Sequence, residues 1–201
     1  DRLRAMLDWD ATAICGTPSY LLYLAETARK NDIDLPASLI RKAVTAGEPG
    51  AAILSTKKAM ESQWGARVYD DLGSTEGGNF GHECVLQQGT HIIESMFIAE
   101  VLDPETLQPL EDGRIGELVL TNLCCESMPL VRYRTGDLVR FNHTPCECGR
   151  TGLRLDGGVL GRSDDMFHFA GVNIFPTQIQ NLLHEIDEFS QEYQLVVPGM
   201  G

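Results

Sequence analysis

Along the first third of the chain, short apolar runs alternate with one-sided helical patterns. Residues 12–15 form an apolar run that stops at Gly16. Thr17 can cap a helix with Pro18 in its first position, where a missing N–H costs nothing. Leu21, Leu22, Leu24, Ala25 and Ala28 give that helix an apolar side as far as Asn31 and Asp32. A second run predicts a strand over residues 42–45, which Gly47-Glu48-Pro49-Gly50 breaks. A helix is expected over 51–64, closed by Gly65, and a third strand over 67–70. This β-α-β-α-β order predicts parallel strands joined by right-handed crossovers.

The pattern changes after Gly78. Strands without helices are expected over 84–86, 90–93, 96–102, 116–123 and 138–141, with turn chemistry at Asp103-Pro104 and Glu111-Asp112-Gly113. Met96, Phe97 and Ile98 are expected in the core of this part. After Asp164 the pattern changes again. Thr177 and Gln180 form a capping box. Ile179, Leu182, Leu183 and Ile186 then follow at helical spacing, and residues 194–197 read as a strand. The fold class expected is α/β: a parallel β-α-β layer plus an antiparallel β-barrel-like subdomain, followed by the start of a small α+β C-terminal domain. The expected divisions are 1–78, 79–163 and 164–201.

Composition narrows the chemistry. The chain of 201 residues is 43% hydrophobic, enough to bury a core. With 16 Lys+Arg against 29 Asp+Glu, the net charge is −13 and no basic stripe is available for nucleic acid. A nucleotide is not excluded, because backbone amides and one or two cations can hold it. No apolar run is long enough to span a bilayer, so no membrane partner is expected. Six cysteines are too sparse for a disulfide-stapled miniature and indicate a reducing, cytoplasmic compartment. Cys15 is expected as a small core residue, and the adjacent Cys124 and Cys125 cannot share one strand face.

Three segments carry candidate chemistry. Leu72-Gly73-Ser74-Thr75-Glu76-Gly77-Gly78 follows the third strand, at the end of a parallel sheet where ligands bind. Its glycines let backbone N–H groups approach phosphate, a Thr hydroxyl adds a donor, and a carboxylate can hold Mg2+. A plain Gly-rich turn has the same composition. In Tyr133-Arg134-Thr135-Gly136-Asp137, Asp137 could accept both hydroxyls of a ribose diol, or sit in a hairpin salt bridge. Gly161-Arg162-Ser163-Asp164-Asp165 could be a simple linker.

In this order, the three motifs resemble those of the adenylate-forming enzymes. The stretch from Asp164 to Met166, with Gly171-Val172-Asn173-Ile174-Phe175-Pro176, is similar to the phenylacetate–CoA ligase family. So are Gly16-Thr17-Pro18-Ser19-Tyr20 and residues 128–134. The resemblance implies ATP-dependent activation of an aryl carboxylic acid to acyl-AMP and transfer to coenzyme A. It places Ala46, Gly47, Glu48 and Pro49 along the adenine and acyl pocket, and Asp70, Asp71, Leu72 and Gly73 against adenine, with Ser74 in the same nucleotide-binding stretch. Thr75 would touch the α-phosphate and Glu76 would ligate Mg2+. Asp137 would hold the ribose, helped by Arg162. Asp164 would be the hinge of a small mobile domain, and Gly171 would line the CoA path.

Residues 1–163 then correspond to the C-terminal part of a large adenylation domain. A phosphate loop is expected before residue 1 and an adenylation lysine after residue 201, so the chain alone is expected to be inactive. Leu72 replaces a usual aromatic residue, and Ala170 stands where a basic residue is frequent. Two other readings stay open. One is an adenylate-forming enzyme whose acceptor is an amine, a carrier protein or a deazaflavin; the other is a non-catalytic zinc-stabilised module. Family members are often homodimers.

A metal site is expected as well. A hairpin with its loop at 86–89 would set Cys84 directly opposite His91, about 5 Å apart at Cβ. Cys146 and Cys148, in a Cys-x-Cys-Gly-Arg-Thr loop, would complete a Cys3His structural zinc set, with His82 competing for the histidine place.

Overall fold

The computed structural model describes residues 2–165 without a break, and then 167–169, 172–174, 176, 179, 182, 183, 186, 194 and 196. Its first part contains α1 (Arg2–Asp8), β1 (Ala13–Gly16), α2 (Pro18–Lys30), β2 (Lys42–Thr45), α3 (Leu54–Trp64) and β3 (Arg67–Ser74). Strands β1, β2 and β3 run parallel, as the alternating pattern predicts. Thr17 caps α2, its hydroxyl oxygen accepting the Tyr20 N–H, with Pro18 in the first turn. Helix α3 stops at Gly65, whose φ of +61° and closeness to Pro36 suit only glycine. The core between helices and sheet holds Leu21, Ile40, Met60, Trp64 and Val68. The Trp64 indole N–H donates to the Leu21 carbonyl at 3.1 Å.

The second part continues the same sheet through β4 (Gly78–Glu83), β5 (Thr90–Ile92), β6 (Phe97–Leu102), β7 (Ile115–Asn122), β8 (Tyr133–Asn142) and β9 (Arg154–Arg162). The nine strands lie in the order β1-β2-β3-β4-β5-β9-β8-β7-β6. This is a mixed α/β fold, but among the described residues the sheet stays open, with β1 and β6 at its edges, where a barrel-like subdomain was expected. A second core gathers Phe80, Phe97, Leu118, Leu120, Val139, Phe141 and Leu155. Phe80 and Phe97 meet edge to face.

Several boundaries differ from the pattern. β3 runs on to Ser74, because β4 gives its second half an antiparallel partner. Residues 84–87 form a turn, not a strand, closed by the Gln87 N–H on the Cys84 carbonyl. β9 was hidden by Gly157 and Gly158, whose positive φ values accompany irregular register against β8. Of Met96, Phe97 and Ile98 only Phe97 is buried; Ile98 is 52% exposed, since successive strand residues face opposite ways. Cys15 is likewise exposed on the edge strand β1.

Beyond Asp165, β10 (Phe167–Phe169) and β11 (Val172–Ile174) form an antiparallel hairpin. Residues 176, 179, 182 and 183 are helical, whereas 194 and 196 are not in a strand. Ala170, Gly171, Thr177 and Gln180 lie outside the described residues. No helix among the described residues is long and apolar enough to cross a membrane.

Trp64 is fully buried, so Trp64→Ala should leave a large cavity and lower unfolding free energy by about 3–5 kcal/mol. Urea unfolding followed by far-UV circular dichroism checks this; a loss below about 1 kcal/mol would mean that this core does not hold the layer together.

Candidate functional site

Parallel strands bring their carboxyl ends to one side of the sheet, and here the segments after β1 and β2 are tied together. The Ala46 N–H donates to the Gly16 carbonyl at 3.4 Å. Glu48 accepts from the backbone N–H and hydroxyl of Ser19 at 3.2 and 2.8 Å. Its carboxylate thus sits at the N-terminus of α2, where the helix dipole favours negative charge. Gly47 turns the chain with φ +87°. Gly47, Glu48 and Pro49 are exposed and Ala46 is half-buried.

β3 and β4 form a hairpin, and its turn holds Thr75, Glu76 and Gly77. The expected loop beyond a parallel strand is therefore the tip of an antiparallel pair. Ser74 Oγ accepts the Gly77 N–H at 2.9 Å and closes the turn. Below it, Asn79 donates to Asp71, and Leu72 leans on the second core. Thr75 and Glu76 are exposed and make no side-chain hydrogen bond among the described residues, so both are available to a ligand. Gly73 is exposed and offers backbone. Asp70 is different: it is buried, and a Cβ on Gly158 would lie 2.8 Å from its Oδ2. Its carboxyl pKa is pushed up to about 7, first by burial and then by the charge of Glu83, with Lys57 opposing.

The second group lies on β8 and β9. Asp137 and Arg162 are register partners, with Oδ1 and Nη1 3.4 Å apart. Arg162 also donates to both oxygens of Asp164 at 2.8 and 2.9 Å, and to the Thr135 carbonyl at 3.2 Å. The Thr135 hydroxyl donates to the Leu118 carbonyl and accepts the Asp137 N–H. Burial raises the Asp137 carboxyl pKa and Arg162 opposes it. Hydrogen bonding to Arg162 lowers that of Asp164. Sequence reasoning missed Glu117, which is 2% exposed beneath this turn. It accepts from the Arg134 guanidinium and from the Gly136 N–H at 3.2 Å. A lone acid inside the apolar run 115–123 was the available signal, since a buried carboxylate requires partners.

A third group is a thiol–imidazole cluster. The ligand atoms of Cys84, His91, Cys146 and Cys148 all lie within 4.8 Å of one another. Cys84 and Cys146 sulfurs are 4.0 Å apart, and Cys148 Sγ lies 3.7 Å from His91 Nε2. Sulfurs about 2.3 Å from a tetrahedral Zn2+ sit at such separations. His91 Nδ1 is buried without a partner among the described residues, and burial lowers the imidazole pKa, favouring the neutral, ligating form. The Arg150 backbone N–H, and then its guanidinium, lower the Cys148 thiol to about 7. Burial raises Cys84. The donor set therefore fits a structural zinc ion. The expected opposition of Cys84 and His91 does not occur: His82 is opposite His91, and Cys84 joins from the turn after β4. His82 is nevertheless outside the cluster.

Comparison with known proteins gives a consistent result. The family model described as the AMP-binding enzyme C-terminal domain matches residues 171–200. A phenylacetate-coenzyme A ligase of Thermus thermophilus is 40% identical over 197 residues, 96% of this chain and 44% of that protein. The Pseudomonas putida phenylacetate-coenzyme A ligase is 35% identical over the same shares. The chain thus spans less than half the length of these curated relatives. Among solved structures, 2-hydroxyisobutyryl-CoA ligase in the postadenylation state with 2-HIB-AMP superposes with a TM-score of 0.88 at 33% identity, covering 95% of this chain and 41% of that one.

Asp70 sets a pH dependence. Folded, it titrates near 7; unfolded, near the ordinary 3.8. Between these values the folded state keeps a proton the unfolded state has lost, so stability falls as pH rises, by up to about 1.4 kcal/mol per unit. Asp70→Asn lacks this dependence. Its stability relative to the parent should rise through that window and level off above pH 7 in urea unfolding at pH 5, 6, 7 and 8. A constant difference would exclude the shift.

Proposed function

We propose, for a chain homologous along its length to phenylacetate–coenzyme A ligases, that the protein carrying it activates an aryl carboxylic acid with ATP and passes the acyl group to coenzyme A. The observation that carries this reading is the pairing of two geometries: an unencumbered Thr75-Glu76 turn, and an Asp137 carboxylate braced by Arg162. Thr75 donates its hydroxyl to the α-phosphate, and backbone at Gly73 and Ser74 lies beside the nucleotide. Ala46 to Pro49 and Asp71 to Leu72 border the adenine and acyl pocket, and Asp70 contributes through its backbone. Asp137 accepts the two ribose hydroxyls. A carboxylate oxygen of the acid attacks the α-phosphorus and pyrophosphate leaves. The CoA thiolate then attacks the acyl carbon and AMP leaves. Glu76, a free carboxylate at the turn, suits Mg2+, which would neutralise charge on the phosphates.

Asp164, held by Arg162 at the end of β9, is the hinge in this reading. Residues 164 onward start the small mobile domain, and Gly171 belongs to the CoA path. Residues 1–163 are the end of the large adenylation domain. The Cys84, His91, Cys146 and Cys148 cluster holds a structural zinc ion that fastens the 143–153 loop to the turn after β4. Free thiols suit a reducing cytoplasm, and a homodimer is one assembly open to the protein.

Pyrophosphate release by the full-length protein, with ATP, Mg2+ and a panel of aryl acids, tests the activity. Acid-dependent release that rises with CoA supports it; release indifferent to CoA means another acceptor, and no release with any acid counts against catalysis. Glu76→Ala should lower acyl-AMP formation at least about a hundredfold. Equal activity in that variant would remove the Mg2+ role. Purified parent should contain one zinc per chain, and Cys146→Ser should lose it together with several degrees of Tm. A metal-free parent would refute the zinc assignment.

A further inference from the structure

The sheet changes character inside β3. Asp70 is the last residue in parallel register, opposite Thr45 of β2. Asp71 is the first in antiparallel register, opposite His82 of β4. Continuing that register brings Glu83 opposite Asp70. At this seam the Asp70 N–H donates to Glu83 Oε2 at 3.1 Å, and the same oxygen accepts from Lys57 Nζ of α3 at 2.6 Å. The Lys57 and Glu83 side chains are only 9% and 6% exposed. A buried ion pair of this kind contributes little net stability compared with apolar residues of the same volume, but removing one partner strands a buried charge.

The position of this pair is what distinguishes it. The bonds of Asn79 to Asp71 and of Gly77 to Ser74 lie within the β3–β4 hairpin and travel with it. Gln87 and Glu61 tie α3 to the start of β3, near Val68. The Lys57–Glu83 pair ties α3 to the hairpin at Asp70, the point from which residues 71–76 depart. We propose that Lys57 is a positioning residue of the nucleotide site. Through Glu83 it fixes the seam, and so the direction in which the hairpin presents Thr75 and Glu76. Without the cation, Glu83 and the buried Asp70 face each other across the seam and the hairpin swings away from its productive angle. The proposal rests on the nucleotide reading given above.

The test uses the full-length protein. ATP affinity is measured by calorimetry, and kcat and KM by pyrophosphate release, for the parent, Lys57→Met, Lys57→Arg and Val139→Ala. Val139 is a buried residue of the second core and serves as a stability control. Lys57→Met should weaken ATP binding about tenfold and raise the KM for ATP with the KM for the acid unchanged. Lys57→Arg should recover most of the affinity. Val139→Ala should lower Tm and leave ATP binding intact. If Lys57→Met does not fold, Glu83→Gln, which keeps an acceptor for the Asp70 N–H, should show the same selective rise in the KM for ATP. ATP binding unchanged in the Lys57 or Glu83 variants, or equally weakened in Val139→Ala, overturns the proposal. A parent that binds no ATP overturns the nucleotide reading itself.

Discussion

One strand has to satisfy two kinds of neighbour. β3 pairs in parallel with β2 through Asp70 and antiparallel with β4 from Asp71 onward, so a single strand joins the α/β layer to the antiparallel arm. A parallel ladder is spaced evenly with slanted bonds, and an antiparallel one in alternating close and wide pairs. The two ladders use opposite edges of β3, and one ends where the other begins, at Asp70–Asp71. The junction here is polar and buried: Glu83 reaches across to the Asp70 N–H, Lys57 neutralises it, and the register shifts between Leu72 and Gly73. The candidate turn projects from this junction, so its placement follows from how the junction is made.

The antiparallel arm has a different difficulty. Its apolar core is small, and β6 is an edge strand among the described residues, met on its outer side at 108–110. The long connection from β8 to β9 has little apolar content with which to pack. The thiol–imidazole cluster supplies what packing does not, drawing Cys146 and Cys148 of that connection to Cys84 and His91. Glu94 adds a second fastening by accepting the Leu153 N–H at 2.9 Å. Anchoring this connection also sets where β9 begins, and β9 carries Arg162 to Asp137. The cluster and Asp137 are therefore linked through one strand.

What the sequence allowed to be read follows a physical rule. Features set by neighbours in the chain were legible: the Thr17-Pro18 start of α2, the Gly65 stop of α3 and the limits of β2. Features set by distant partners were not. The second half of β3 exists because β4 pairs with it. β9 contains glycines that resemble a turn until β8 lies beside them. His91 was preferred over His82 from an assumed opposition to Cys84, yet the register opposes His91 to His82. The choice agrees with the cluster because Cys84 lies past the strand end, where the turn brings its sulfur back. Which four side chains gather was legible from residue type and spacing, whereas the geometry that joins them was not.

Glu117, Lys57 and Glu83 share a property that explains why motifs did not reveal them. Motif residues such as Thr75, Glu76 and Asp137 are recognised by what they offer a ligand. These three offer it nothing, since each side chain is buried and its polar atoms are already engaged with other side chains or backbone. Glu117 holds the Gly136 N–H one residue before Asp137, and Glu83 holds the Asp70 N–H at the base of the hairpin. In both places a buried carboxylate grips backbone just before a candidate ligand-binding segment. Such a grip constrains the direction of the chain more tightly than apolar packing does, because a hydrogen bond to a charged acceptor is directional and strong. Two segments on separate parts of the sheet need that constraint if their side chains are to meet one small ligand within a fraction of an ångström.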